Sequence, residues 1–220
     1  MADVIRVGIV GASVTEGRSG WGSGAHVPAL KVVPGYQLKA VCTSQAATAK
    51  ASAEKFGAEL GFHNIDDMLA RDDIDLISVA VRVPQHHALV MKAINAGKMV
   101  YCEWPLGNGL KEGVEMAEAA KAKKVVTMCG MQARSDPTVR YARDLVAKGY
   151  VGEVLFVTLK VIPGAQLARG HGRIWQGIRA NGANPMTIPG GHSMDAMCYI
   201  AGEPVEVAGR IATRVKQWKN

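Results

Sequence analysis

Cysteine is scarce and unpaired in this chain. Cys42, Cys102, Cys129 and Cys198 lie far apart and form no Cys-x-x-Cys pair. That spacing argues against a disulfide framework or a zinc site and for free thiols in a reducing compartment. Three of the four close apolar runs, which predicts burial. No run of about 18 apolar residues occurs, so no transmembrane helix is expected. The N-terminus enters an apolar run directly, without the basic-then-apolar stretch of a secretion signal. A cytoplasmic protein without membrane contact is the expectation. No His, Asp, Glu or Cys cluster has metal spacing, and no Gly-x-Ser-x-Gly or Cys/His nucleophile pattern appears. No helix-turn-helix, RNP or zinc-finger pattern suggests direct nucleic-acid binding.

What is present is ordinary for a globular protein with a sizeable core. The 220 residues are 48% hydrophobic and 20% charged, with a formal net charge of +7. The basic excess is late: from Lys160 onward there are eight Lys/Arg against three Asp/Glu. Such an excess suits either a solvated surface or a face for phosphates or an acidic partner.

Through residue 130, apolar runs alternate with helix-length segments. Strands are expected at Val4–Val10, Gln37–Thr43, Leu76–Val81, Met99–Cys102 and Val125–Cys129. Helices are expected from Ala25–Val33, Ala46–Phe56, Ile65–Ala70, His86–Ala96 and Leu110–Ala122. Strands apolar on both faces, separated by amphipathic helices, predict a doubly wound parallel α/β sheet of Rossmann type. Ligands are then expected at the carboxyl ends of the strands. Residues 131–220 read as the start of a second α+β domain, with helices Thr138–Lys148 and His192–Ala201. Strands Gly152–Val161 and Val205–Val215 flank a Gly/Arg/Asn-rich loop from Pro163 to Pro189. Two strands make a marginal sheet, so this domain is expected to be incomplete or to lean on a partner.

The first turn, Gly8-Ile-Val-Gly11-Ala-Ser13, leads into a glycine-rich stretch that includes Gly17, Gly20, Gly22, Gly24 and Ala25. A dinucleotide fingerprint brings backbone close to a pyrophosphate at a helix N-terminus. Here Ser13 replaces the second glycine and extra residues precede the helix, so the turn reads as a phosphate site or as a flexible connection. Gly11, Ser13, Gly24 and Ala25 are the candidate contacts. Strand two ends Cys42-Thr43-Ser44, where an NAD site places a carboxylate on the ribose 2′-hydroxyl. Hydroxyls there tolerate a 2′-phosphate, so NADP is preferred over NAD. Strand five ends Glu103-Trp104-Pro105. A Lys in the middle position would read as an acid/base group, whereas the Trp indole only donates a hydrogen bond.

Together VGIVGAS, HVPAL (His26–Leu30), VAVRVPQHHALV (Val79–Val90), AGKMVYCEWPL (Ala96–Leu106), GMQARSDP (Gly130–Pro137), GYVGEV (Gly149–Val154) and GGHSMDAMCYIAG (Gly190–Gly202) resemble the Gfo/Idh/MocA family of NAD(P)-dependent oxidoreductases. The resemblance implies an N-terminal Rossmann domain (1–130) and a C-terminal open-sheet domain (131–220, shorter here than in a complete member). It also implies a small-molecule substrate and a homo-oligomer. The family Glu-Lys-Pro falls on Glu103-Trp104-Pro105 without its Lys. The late His and Asp fall on His192 and Asp195, while Ile188 stands where the family often has a first Asp. By position the resemblance adds Val81, His86, Glu103, Trp104, Pro105 and Gln132 to the cofactor contacts and leaves His192 as the acid/base candidate. Arg134, Trp175 and Asp195 become substrate candidates. Each has a plain structural alternative: a helix-start histidine at His192, first-turn residues at His86 and His87, packing at Trp104, a surface ion pair at Arg134 and a solvated loop around Trp175. Glu-Trp and the glycine-rich insertion also resemble the fungal galactose-regulon repressor branch, which implies a non-catalytic cofactor-binding regulator that grips an acidic protein segment.

Overall fold

The structure, a computed structural model, describes residues 4–15, 20–162, 164, 168 and 170–217. Gly17 of the glycine-rich turn and parts of the Pro163–Pro189 loop lie outside them. The chain divides into two compact units, Met1–Gly130 with Ala180–Gly182, and Met131–Arg179 with Ala183–Asn220.

The first unit is a six-stranded sheet. Its strands are β1 (Ile5–Val10), β2 (Tyr36–Cys42), β3 (Leu60–Phe62), β4 (Leu76–Val79), β5 (Met99–Glu103) and β6 (Thr127–Gly130), in the order β3-β2-β1-β4-β5-β6 and all parallel. The order reverses between β1 and β4, the place where a doubly wound sheet opens a crevice. Helices α1 (Val27–Val32), α2 (Ala46–Phe56), α3 (Ile65–Leu69), α4 (His86–Asn95) and α5 (Leu110–Lys123) make the crossovers. The two-residue alternation of a strand explains the two cores. Val7 and Ile9 of β1 join Val27, Leu38, Val41 and Phe56 in one, whereas Val10 packs with Ile77, Val79, Val90, Ile94 and Cys102 in the other. Gly8 belongs to this second face, where a Cβ would lie 2.7 Å from the Met68 sulfur. In β2, Leu38 and Ala40 fall in different cores because the β1–β2 register slips between Val7 and Gly8. The slip is a bulge at Lys39, whose ammonium reaches Glu59 at 2.5 Å and Asp73 at 3.3 Å.

Every expected strand and helix of this unit forms, within two to three residues at the ends. The strand at 60–62 was not expected. It is three residues long with a central glycine, too short for a periodic signal, and a Cβ on Gly61 would lie 2.7 Å from the Ala49 carbonyl. The burial expected of the cysteines holds for Cys42 and Cys102, while Cys129 and Cys198 are only half-buried.

The amino ends of β1 and β4 are pinned by Arg6 and Asp75. The guanidinium meets the carboxylate at 2.7 and 2.8 Å, and the Arg6 amide donates to the same carboxylate at 2.8 Å. These bonds hold the Asp75 pKa below the ordinary carboxylate range. A depressed pKa contributes stability that is present above about pH 4, the unfolded value, and lost as pH falls through the folded value. Asp75→Asn is therefore expected to reduce the fall in urea midpoint between pH 6 and pH 2.5. An unchanged pH slope would remove this pair as a source of acid lability.

In the second unit, α6 (Pro137–Ala147) is capped by Asp136, whose side chain accepts from the Thr138 amide at 2.7 Å and the Val139 amide at 3.2 Å. A wide helical turn, Met186–Gly190, runs into α7 (Gly191–Ala201). The strands expected at Gly152–Val161 and Val205–Val215 do not form among the described residues. Both segments run without a ladder, and Leu155, Phe156 and Val205 are exposed at 83%, 84% and 106%. Alternation sets which face of a strand is apolar. A strand also needs a neighbour to accept its backbone bonds, and the described residues supply none beside these segments. Among the described residues no helix is long and apolar enough to cross a membrane.

Candidate functional site

A cavity of about 730 Å³ lies at the carboxyl ends of β1, β2 and β4, against the switch point. Its floor is Gly11, which follows β1 with φ +110°. A Cβ there would sit 2.4 Å from the Ala80 carbonyl oxygen, so only glycine fits. Ser13 and Val81 also line the cavity. The chain after Gly11 is anchored from beneath: the Val14 amide donates at 3.1 Å to the Ser52 hydroxyl of α2, itself fully buried. Gly22 opens the helical turn Gly22–His26 that leads into α1, and a Cβ on it would lie 3.2 to 3.3 Å from backbone atoms of Gly11 and Ala12. Gly22 thus supplies the close helix-to-strand packing that the third glycine of a fingerprint provides. The intervening insertion conceals this in the sequence. Gly24 and Ala25 lie within the same turn and do not line the cavity.

The second wall is the end of β2. Thr43 lines it, but its hydroxyl is turned inward to Thr48 Oγ1 (2.7 Å) and to the Gln45 carbonyl (3.1 Å). Ser44 is exposed and faces the cavity with no carboxylate beside it. The remaining polar lining includes His63, Arg82 and Lys92, and none of the lining residues is acidic. Lys92 pairs with exposed Asp66 at 2.7 Å.

The Glu103-Trp104-Pro105 turn closes β5, with a cis bond before Pro105. The Glu103 carboxylate is 2.6 Å from His26 Nε2, and both side chains are nearly buried, at 12% and 13%. His26 Nδ1 lies 3.0 Å from the hydroxyl of buried Ser78, and the Tyr101 ring meets the imidazole edge-on at 5.2 Å. Burial, then the Glu103 charge, drives the Tyr101 pKa well above its ordinary value, so its phenol stays neutral. On the other flank of the turn, His86 is 1% exposed. Its Nδ1 is 2.8 Å from the Pro105 carbonyl and its Nε2 is 3.0 Å from the Val81 carbonyl. His86 therefore packs beneath the site and is not part of the cavity wall. Glu103, half-buried Trp104 and buried Pro105 likewise lie outside the cavity lining.

The other candidates belong to the second unit. Gln132 is exposed in the short helical turn Gln132–Ser135. Arg134 clasps Asp195 through two nitrogens, at 2.9 and 2.6 Å. Two of the three residues expected from the sequence as substrate contacts thus hold each other. Tyr199 lies beneath the guanidiniums of both Arg134 (5.5 Å) and Arg143 (4.7 Å). His192 is half-buried in the first turn of α7, and Trp175 is half-buried in the helical turn His171–Gly177. Among the described residues no group of three His, Cys, Asp or Glu could hold a metal.

The arrangement in the first unit fits a dinucleotide: a backbone cradle that a single Cβ would fill, a cavity at the switch point and a lining free of carboxylates. Residues 5–131 match the family model described as "Oxidoreductase family, NAD-binding Rossmann fold". The chain belongs to the Gfo/Idh/MocA oxidoreductase family. Residues 137–220 match a second model, that of the Gal80p C-terminal domain. The dehydrogenase aclE of Aspergillus oryzae is 34% identical over 92% of this chain and 56% of its own length. The galactose/lactose metabolism regulatory protein GAL80 of Saccharomyces cerevisiae is 25% identical over 89% of this chain and 47% of its own. A 3-ketoreductase from Actinomadura kijaniata, crystallised with TDP-benzene and NADP, superposes with a TM-score of 0.60 at 26% identity, over 69% of this chain and 46% of that one. The chain spans about half the length of the curated relatives it matches.

The sequence reading missed two residues, Gly22 and His26. Gly22 was one glycine among many in the insertion. His26 stood in the quoted HVPAL segment, but its partner Glu103 is 77 positions away.

Proposed function

We propose that the protein is an NAD(P)-dependent oxidoreductase that moves a hydride to or from a hydroxyl or carbonyl of a sugar-like small molecule, with NADP preferred. The observation that carries this reading is the cavity at the switch point, with Gly11 as its floor and an acid-free lining of Ser44, Arg82, Lys92 and His63. The cofactor supplies the hydride chemistry when bound. The chain's part is to let backbone approach the pyrophosphate at Gly11 and to accept a 2′-phosphate near Ser44. It also provides a proton carrier, which we assign to His192. Glu103 is engaged by His26 and Trp104 does not titrate, so the β5 turn shapes the site and moves no proton. Arg134, Trp175 and Asp195 are assigned to the substrate side.

Ser44→Asp is expected to lower NADP affinity by about tenfold while changing NAD affinity far less, because the carboxylate would stand near the extra phosphate. Equal effects on both cofactors, measured by calorimetry, would show that Ser44 is not at the 2′-position.

A second reading is favoured by Trp104, by Ile188 and by the match of residues 137–220 to the Gal80p C-terminal model. It is a cofactor-binding regulator that grips an acidic protein segment. Following the absorbance of reduced cofactor, with full-length protein and a panel of polyols and sugars, separates the two. Turnover on any member supports the oxidoreductase. Tight cofactor binding with no turnover across the panel favours the regulator.

A further inference from the structure

His26 sits at the end of the helical turn that follows the glycine-rich insertion, and Glu103 sits at the end of β5. Their side chains meet at 2.6 Å in a nearly dry position. A carboxylate only accepts, so Nε2 carries the proton toward Glu103. In the neutral ring Nδ1 then accepts from the Ser78 hydroxyl at 3.0 Å. Both ring nitrogens, Glu103 Oε1 and the Ser78 hydroxyl are satisfied within this one cluster. Gly130 of β6 completes it: a Cβ there would fall 2.9 to 3.0 Å from both Glu103 carboxylate oxygens. The carboxylate therefore lies flat over a glycine, in ladder register with Glu103, and points at the imidazole. On the far side of Trp104, Pro105 is held by His86. Trp104 thus lies between two residues held by histidines, one of which ends the helical turn Gly22–His26.

We propose that His26 is a positioning residue that couples the helical turn Gly22–His26, which packs on the backbone of Gly11 and Ala12, to the Trp104 turn, so that a dinucleotide seated on the Gly11 cradle also sets the indole at the end of β5. The ligand half of this inference rests on the dinucleotide reading above; the mechanical half does not. A charged hydrogen bond formed away from water is strong, and losing one partner strands the other. Both ends of the clamp then loosen together.

Hydrogen exchange on the cofactor-free, full-length protein tests the coupling. In His26→Ala, amides of residues 20–27 and of residues 103–106 are expected to exchange faster together, while α2 (46–56) keeps its protection. Gly130→Ala, which leaves His26 in place but displaces the carboxylate, is expected to give the same two-segment pattern. His26→Gln, whose amide can still donate to Glu103, is expected to restore most of the protection. Loosening of one segment alone, or a uniform loss of protection across the unit, would overturn the coupling. In the ligand arm, His26→Ala is expected to weaken NADP binding by about tenfold and to leave binding of 2′,5′-ADP, which lacks the nicotinamide half, unchanged. Equal losses for both ligands, or no loss for either, would overturn the link to Trp104. If the wild-type protein binds neither ligand, the dinucleotide reading fails and the exchange pattern alone decides the clamp.

Discussion

Gly11→Ala is expected to lower dinucleotide affinity by roughly a hundredfold while leaving a folded but weakened protein. The added methyl meets the Ala80 carbonyl oxygen at 2.4 Å and the Val81 side chain at 2.9 Å, and the backbone there has φ +110°. Overpacking at a tight position costs about 1–3 kcal/mol, and a side chain in that backbone region adds a further ~1–3 kcal/mol. Relief requires the turn to move away from β4, which closes the approach of backbone to a phosphate. A shift worth about 3 kcal/mol corresponds to roughly a hundredfold in affinity. The check is a pair of measurements, NADP titration and thermal melting. Retained affinity with a lowered melting temperature would show that Gly11 serves the fold and not the ligand.

The second large effect is expected at Trp104. General acid–base help is worth about 10²–10⁴-fold where a group of suitable pKa is in reach. Trp104→Lys places an ammonium between Glu103 and Pro105, on a turn whose flanks are already held by His26 and His86. Turnover of a substrate found in the polyol and sugar panel is expected to rise at least about tenfold, short of the full range because the lysine's surroundings are not tuned for it. Binding of 2′,5′-ADP should hold within about twofold, since Trp104 does not line the cavity. A fall in turnover with unchanged cofactor binding would mean that the indole itself contributes to the site, by stacking or by excluding water. No turnover in either protein would strengthen the regulator reading.

The parallel sheet was legible because it is buried on both faces. Val7 and Ile9 enter one core and Val10 the other, so β1 reads as a continuous apolar run bounded by a turn. The helix Ala46–Phe56 was readable to the residue because Gly57, at φ +77°, stops it. The cradle was legible only in part. Gly11 follows a strand, where the fingerprint predicts it. Gly22 is separated from Gly11 by ten residues in the sequence, and no spacing rule encodes its packing on the cradle. The strands expected in the second unit failed for a different reason: alternation at 152–161 describes a face, and pairing depends on a neighbour the pattern does not name. The clamp was least legible of all. It joins His26, Ser78, Glu103 and Gly130, which come from four separate elements, and each residue alone has an ordinary local explanation.

The placement of Arg134 against Asp195 also follows from tertiary packing. Both were singled out for their chemistry, and the fold satisfies each with the other. Their use by a substrate would require that pair to open, and the polar groups of the first unit carry no such condition.

The most direct test is calorimetric titration of the full-length protein with NADP and with NAD. The account predicts one site per chain, tighter binding of NADP than of NAD, and a roughly hundredfold weakening of both in Gly11→Ala. Absence of binding for either cofactor, or an affinity for NAD equal to or above that for NADP, would contradict it.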